Sequence, residues 1–135
     1  MMSIDPIQSV TPPAYVIHED GAGGIVRMMV EGFYDRETLI RHFEDSAKVV
    51  TRWRVAGRPI RVLIDALNLQ PHTPENQALV KQFFQDIYRP GDRVAILVGS
   101  NLVKMQMRRA PRSDDIIDFF VSEFAALKWL LAKDK

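Results

Sequence analysis

The chain has 135 residues, of which 47% are hydrophobic, and its 18 basic and 17 acidic side chains give a formal net charge of +1. This length and composition fit one globular domain with one core, and the nearly balanced charge excludes a whole-molecule attraction to nucleic acid. The absence of cysteine excludes disulfides, thiolate nucleophiles and cysteine-ligated metals, and it suits a reducing cytoplasm.

The first 13 residues are predicted to be an extended lead-in, because Pro6, Pro12 and Pro13 disfavour a helix there. They contain no basic stretch followed by an apolar one, and nowhere do about 18 apolar residues run uninterrupted. We therefore expect a single domain over residues 14–135, without a transmembrane segment, in the cytoplasm.

The first half of the chain predicts a hairpin, a helix and a central strand. Two β-branched runs, residues 14–20 and 25–32, flank a glycine-rich turn and predict the hairpin. Asp35 caps an amphipathic helix that Gly57 ends. The apolar run 60–67 lacks alternation, which predicts a strand covered on both faces, and this strand is expected to stop at Asp65.

The second half repeats the alternation of helix and strand. Thr73 and Pro74 occupy the N-cap and first position of a helix, and residues 94–98 form the next buried strand. A short helix is predicted after Gly99, through Leu102, Met105 and Arg109. Residues 115–120 predict a fifth strand, and Ser122 caps a last helix. The apolar residues expected to line up toward the core there are Phe120, Phe124, Leu127 and Leu131.

The order β-β-α-β-α-β-α-β-α predicts an α/β fold. It implies a mixed five-stranded sheet, mainly parallel with an N-terminal antiparallel hairpin, flanked by about four helices. In such sheets ligands bind beyond the carboxyl ends of the parallel strands. The side chains expected at that edge are Asp35, Asp65, Thr73, Ser100 and Ser122.

Three stretches, "VLIDALNLQPHT", "DRVAILVGSNLVKMQMRR" and "DFFVSEFAALKWLL", resemble the STAS-like superfamily, the fold of bacterial anti-sigma-factor antagonists, and particularly its poorly characterised bacterial branch. In the antagonists a partner kinase phosphorylates a serine or threonine at the start of the helix after the central strand. The resemblance places that position near Thr73, although "PHTPEN" has no Asp before the hydroxyl and no Gly after it. The branch has also been likened to lipid-binding CRAL-TRIO domains, which implies an apolar ligand as an alternative.

The residues themselves favour structural roles first. Thr73 is first of all a helix cap, and phosphorylation is the second interpretation. Asp65 and His72 could serve a hydrolase, but no Gly-x-Ser-x-Gly turn accompanies them, so no catalytic residue is assigned. No spacing of Asp and His near Asp65 matches a metal site, and neither a metal nor a cofactor is expected.

The leading hypothesis is a non-enzymatic cytoplasmic STAS-like module that binds a protein partner or itself, with a regulatory role. The exposed edge of the hairpin makes a homodimer plausible. The alternative is a lipid-binding or small-molecule-binding protein, for which Asp65, Ser100, Lys104 and Arg108 form the ligand edge and could hold a small anionic group. A solvated charged face also explains the basic run, and nucleic acid is not expected because no aromatic platform accompanies it.

Overall fold

A five-stranded sheet forms the centre of the computed structural model, which describes residues 14–100 and 115–133. The strands are β1 (Tyr15–Asp20), β2 (Ile25–Gly32), β3 (Arg61–Leu69), β4 (Arg93–Leu97) and β5 (Ile117–Phe120), in the spatial order β1-β2-β3-β4-β5. Three helices are described: α1 (Arg36–Val55), α2 (Pro74–Ile87) and α3 (Glu123–Leu130). β1 is antiparallel to β2 and the remaining neighbours are parallel, so the predicted mixed sheet is confirmed. The helix predicted after Gly99 lies outside the described residues.

The turn of the β1–β2 hairpin is held by Asp20. Its carboxylate accepts a hydrogen bond from the amide of Gly23 at 2.8 Å, and its carbonyl accepts one from Gly24 at 2.9 Å. Gly24 has a φ of 76°, a conformation that side chains with a Cβ rarely adopt. The glycine-rich stretch therefore serves the chain reversal between two strands.

One face of the sheet packs against α1 and α2. The buried side chains that form this larger core are contributed by β2, β3, β4 and α1, and they include Met28, Val30, Leu39, Phe43, Val50, Trp53, Val62, Ile64 and Val94. Phe43 of α1 stacks on Phe83 of α2 with ring centroids 4.8 Å apart. Two polar residues, His42 and Ser46, lie buried on the same side of α1. The hydrophobic periodicity of α1 indicates Leu39, Phe43 and Val50 on this face but neither of these two polar residues.

The opposite face packs against α3 through Ala126 and Leu130, both fully buried. These side chains lie over β3 and β4, next to Leu63 and Leu97. The predicted inward face of this helix is wrong at two positions: Phe124 and Leu131 are exposed. α3 has only eight residues and buries a single row of side chains, Ala126 and Leu130, which are four residues apart. Phe124 lies two positions before Ala126 and Leu131 five positions after it, so both side chains point away from this row.

Strand β3 does not stop at Asp65, and that prediction is wrong as well. The strand continues to Leu69 through a register shift against β2, in which Met29 pairs with Asp65 and Glu31 pairs with Asn68. β3 thus carries one extra residue over this interval, as in a β-bulge. The Asp65 carboxylate accepts a hydrogen bond from the amide of Leu67 at 3.1 Å, inside the irregular stretch. The acid marks the bulge and lies within the strand.

Arginine side chains at the amino end of the parallel strands join separate elements of the fold. Arg54, at the end of α1, donates to both carboxylate oxygens of the buried Asp92 and to the carbonyl of Ile87. Arg93 donates to the carbonyls of Trp129 and Ala132 at the end of α3. These arginines have structural partners within the chain.

Candidate functional site

The three described helices begin along one edge of the sheet. We call it the carboxyl edge: the ends of β2, β3, β4 and β5 and the residues that follow them, 33–35, 70–73, 98–100 and 121–122. At each helix start a side-chain oxygen accepts a hydrogen bond from the amide three residues later. The pairs are Asp35 with Thr38 at 2.8 Å, Thr73 with Asn76 at 3.1 Å, and Ser122 with Ala125 at 3.3 Å. These caps satisfy amides that a helix leaves unpaired at its start.

Thr73 caps α2 while Pro74 occupies the first helical position. Proline suits that position because its fixed φ is helical and its missing N–H has no helical partner in any case. The free amides and the helix dipole make this end of α2 favourable for negative charge. At the corresponding cap of α1, hydrogen bonding with Thr38 holds the pKa of Asp35 below its ordinary value.

A buried polar cluster joins the start of α2 to the segment between β2 and α1. The side-chain amide of Asn76, which is buried, donates to the carbonyl of Tyr34 at 3.0 Å. The Tyr34 hydroxyl in turn donates to the carbonyl of Ala14 at 2.7 Å, just before β1. Burial raises the pKa of Tyr34, so the hydroxyl keeps its proton and remains a donor. This cluster holds the loops of the carboxyl edge in place.

Two histidines flank Tyr34. The ring centroids of His42 and His72 lie 6.0 and 5.9 Å from that of Tyr34, both in edge-on arrangements. Nε2 of His42 and Nδ1 of His72 are buried, and they have no hydrogen-bond partner among the residues that the structure describes. Desolvation lowers the pKa of His42 to about 4, against a smaller opposing influence of Asp45, and it also lowers the pKa of His72. Desolvation thus favours the neutral form of both rings.

The residue pair considered for a hydrolase is not assembled. Asp65 bonds to the amide of Leu67, and across the part of the chain that the structure describes no hydrogen bond joins Asp65 to His72. The same described residues contain no group of three or more histidine, cysteine, aspartate or glutamate side chains placed to hold a metal ion. The polar side chains described above on the carboxyl edge form helix caps, the bonds of the bulge and the contacts between loops.

Of the other predicted ligand residues, the structure describes Ser100 alone. Ser100 lies exposed, directly after β4, on the carboxyl edge. Lys104 and Arg108 lie outside the described residues. Two open grooves, of about 360 and 380 Å³, border α1 elsewhere, and neither is lined by Asp65 or Ser100.

Large apolar side chains are exposed on the carboxyl edge and in the first turn of α3, which begins there. Phe33 follows β2, Leu67 lies near the end of β3, and Val121 and Phe124 follow β5. Phe124 is 78% exposed. At a spacing of about 4.8 Å between neighbouring strands, the distance from β2 to β5 is roughly 15 Å. The sequence analysis did not predict these exposed side chains. Phe33 falls in a predicted loop, Leu67 falls in a predicted buried strand, and Phe124 was expected to face the core.

Comparison with known proteins identifies the fold. No family model and no curated protein sequence matches the chain. It is similar to a solved structure described as an uncharacterized protein from the DUF3478 family with a SpoIIAA-like fold, from Shewanella loihica PV-4. The two share 21% sequence identity, the match covers 87% of this chain and 92% of that one, and the TM-score is 0.62. The STAS-like fold expected from the sequence is thus confirmed. None of the helices described is both long and apolar enough to cross a membrane.

Proposed function

We propose that this STAS-like chain is a non-enzymatic binding module that recognises a protein partner with its carboxyl edge. The observation that carries the proposal is the set of exposed apolar side chains there, Phe33, Leu67, Val121 and Phe124, beside three capped helix starts. Exposed aromatic side chains contribute strongly to the free energy of binding once an interface buries them. Exposed apolar side chains at the ends of three parallel strands and in the first turn of α3 suit a protein surface better than a single small ligand.

The polar residues of the edge support recognition rather than catalysis. Asp35, Thr73 and Ser122 use their oxygens for helix caps, and Asp65 uses its carboxylate within β3. One side-chain oxygen of each of these residues accepts from a backbone amide of its own element, and that bond supports a structural role for the residue.

Paired substitutions at opposite ends of the molecule test the binding surface. Phe33→Ser and Phe124→Ser remove exposed aromatic rings at the carboxyl edge and in the first turn of α3, and Val55→Ser removes a still more exposed apolar side chain at the far end of α1. A partner captured from the host and then purified should bind each edge variant about 30-fold more weakly, since one buried aromatic is worth about 2 kcal/mol. Calorimetric titration measures this. Equal affinity of all three variants would contradict the proposal.

Regulation through Thr73 is a further part of the proposed function. A phosphate on Thr73 would place roughly −1.5 to −2 charges at the start of α2, where the helix dipole tolerates them, and would change the charge of the binding edge. Intact mass of protein purified from its host should show one phosphate on wild type and none on Thr73→Ala. Thr73→Ser should keep both the phosphate and the cap, whereas Thr73→Ala should lose about 1 kcal/mol of stability. An unmodified wild type removes the switch and leaves the cap.

Binding of an apolar ligand is the second candidate, and one observation favours it. The apolar residues of α2 that face the core are only partly buried; they are Leu79, Val80, Phe83, Phe84 and Ile87. Partly buried apolar residues on a helix can line a ligand cavity. Native mass spectrometry of protein from its host separates the two functions, because it reports a bound small molecule directly. A bare chain mass would remove this candidate without affecting the first.

A further inference from the structure

Strand β1 is the first strand in the spatial order of the sheet, so among residues 14–100 and 115–133 one of its edges has no neighbouring strand. An unpaired edge exposes backbone N–H and C=O groups that another strand can bind, and proteins commonly blunt such edges with charged side chains, especially lysine, or with proline or a bulge. β1 has the sequence YVIHED, with no lysine, no proline and a regular pairing with β2. Its two acids are engaged within the fold, Glu19 by Trp53 and Arg52 and Asp20 by the amide of Gly23. Its free edge is therefore open to a further strand.

The backbone groups at this edge belong to every second residue. Ala14 directs its carbonyl toward β2, where the amide of Glu31 donates to it at 3.0 Å. Bonded and non-bonded positions alternate along an antiparallel pair, so Val16 and His18 also bond to β2. The N–H and C=O groups of Tyr15, Ile17 and Glu19 consequently point away from the sheet.

We propose that two copies of this chain associate through β1, antiparallel about a two-fold axis at Ile17, into one continuous ten-stranded sheet. In this register Ile17 lies opposite the partner's Ile17, and Tyr15 lies opposite the partner's Glu19. It is the one register in which all three outward-facing residues of each copy meet outward-facing residues of the other. Shifting it by two residues in either direction leaves one of them without an outward-facing partner.

The surface beside β1 favours a second copy over a charged peptide. The groove of about 360 Å³ between β1 and α1 is lined by Ile17 and Val49 together with Glu19, Asp45, Lys48 and Arg52. Two acids and two bases balance each other. A two-fold axis brings such a neutral surface against itself without net repulsion, and contacts of this kind close after two copies. A strongly acidic or basic segment would gain nothing from it.

β1 is also held in place before any association. The Tyr15 hydroxyl donates to Asp45 at 2.6 Å, and Glu19 accepts from the indole of Trp53 at 2.8 Å and from Arg52 at 3.0 Å. The strand is thereby anchored to α1 at both ends. An edge that is already ordered loses little conformational freedom when a partner strand binds. Association through β1 does not depend on the partner proposed for the carboxyl edge.

Sedimentation and cysteine cross-linking of the full chain test the inference. The natural sequence has no cysteine, so a single introduced one reports one position. Directly opposed residues of a hydrogen-bonded antiparallel pair have Cα atoms about 5.5 Å apart, within the range of a disulfide. Under mild oxidation Ile17→Cys should form a covalent dimer, and Val55→Cys, at the exposed end of α1, should stay monomeric.

The register has its own test. Val16 lies opposite the partner's His18, so a mixture of Val16→Cys and His18→Cys proteins should cross-link to each other more than either does alone. Ile17→Pro removes an outward amide that β2 does not use, and this variant should lose the dimer while keeping the circular dichroism of wild type. Monomeric wild type at every concentration, or a dimer in which Ile17→Cys stays uncross-linked, overturns the proposal.

Discussion

Two buried polar residues bond to partners that are far away in the chain. Asn76 bonds to Tyr34, and Asp92 bonds to Arg54. Local sequence patterns show neither pair, because hydrophobic periodicity identifies apolar faces and says nothing about which polar residue is enclosed. Of the residues that hold the carboxyl edge together, sequence reasoning identified the caps and missed Tyr34 and Asn76.

The Arg54–Asp92 pair should contribute measurably to stability. Asp92 is buried and also accepts from the amide of Arg89 at 2.8 Å. Asp92→Ala leaves these donors unpaired, and we expect the free energy of unfolding to fall by about 2 to 3 kcal/mol. Urea denaturation measures this. Glu37→Ala, which breaks an exposed pair with Arg41, is the control and should cost less than about 0.5 kcal/mol.

Burial of His42 should make stability depend on pH. Its pKa is lowered to about 4, below the ordinary value of 6.5, so between these pH values the unfolded chain binds a proton that the folded protein does not. The free energy of unfolding should therefore fall by about 3 kcal/mol as the pH drops from about 6.5 to about 4.

A variant separates this effect from other titrating groups. His42→Phe keeps a ring against Tyr15 and Phe43 but cannot titrate, so its stability should change less over the same pH range. Urea midpoints measured at several pH values decide the matter, and equal slopes for wild type and His42→Phe would show that His42 is not responsible.

At the scale of elements, the start of each described helix followed from the sequence, whereas the face of α3 did not. Asp35, Thr73 and Ser122 cap their helices because capping depends on residues three positions apart. The face of a short helix depends on what lies beneath it. In α3 the sheet contacts Ala126 and Leu130, and the larger side chain of Phe124 is left in solvent.

Substitutions in α3 should reflect its observed face. Leu130→Ala empties a fully buried position and should lower the free energy of unfolding by about 3 kcal/mol. Phe124→Ala removes a larger side chain but should change stability by less than about 0.5 kcal/mol, since the ring is exposed. Thermal or urea denaturation compares the two. Similar losses for both variants would restore the face expected from the sequence.

At the scale of the whole molecule, protection is uneven across the sheet. Val62 of β3 and Val94 of β4 are fully buried between helices on both faces, whereas Val16 of β1 is 46% exposed. On the face of the sheet that α3 covers, β1 and β2 therefore bury less apolar surface than β3 and β4.

Amide hydrogen exchange should follow this pattern. The amides of Val62 and Val94 should exchange at the rate set by global unfolding. In dilute protein, the amides of Val16 and His18 should be protected by β2, and those of Tyr15, Ile17 and Glu19 should exchange faster. Exchange followed by NMR measures both effects. Uniform protection along β1 at low concentration would contradict the assignment of outward-facing groups.

The sequence by itself determined the kind of element at most positions, the order of strands and helices, and the resemblance to the STAS-like fold. The kind and order of the elements follow from periodicity, glycine and proline placement and capping, which are local, and the resemblance rests on three stretches of the sequence. Only the tertiary structure decided that β3 continues through a bulge past Asp65, that Tyr34 and Asn76 lock the carboxyl edge, and that Phe124 is exposed. The physical reason is the same in each case: pairing register, burial and long-range hydrogen bonds depend on neighbours that are distant in the chain.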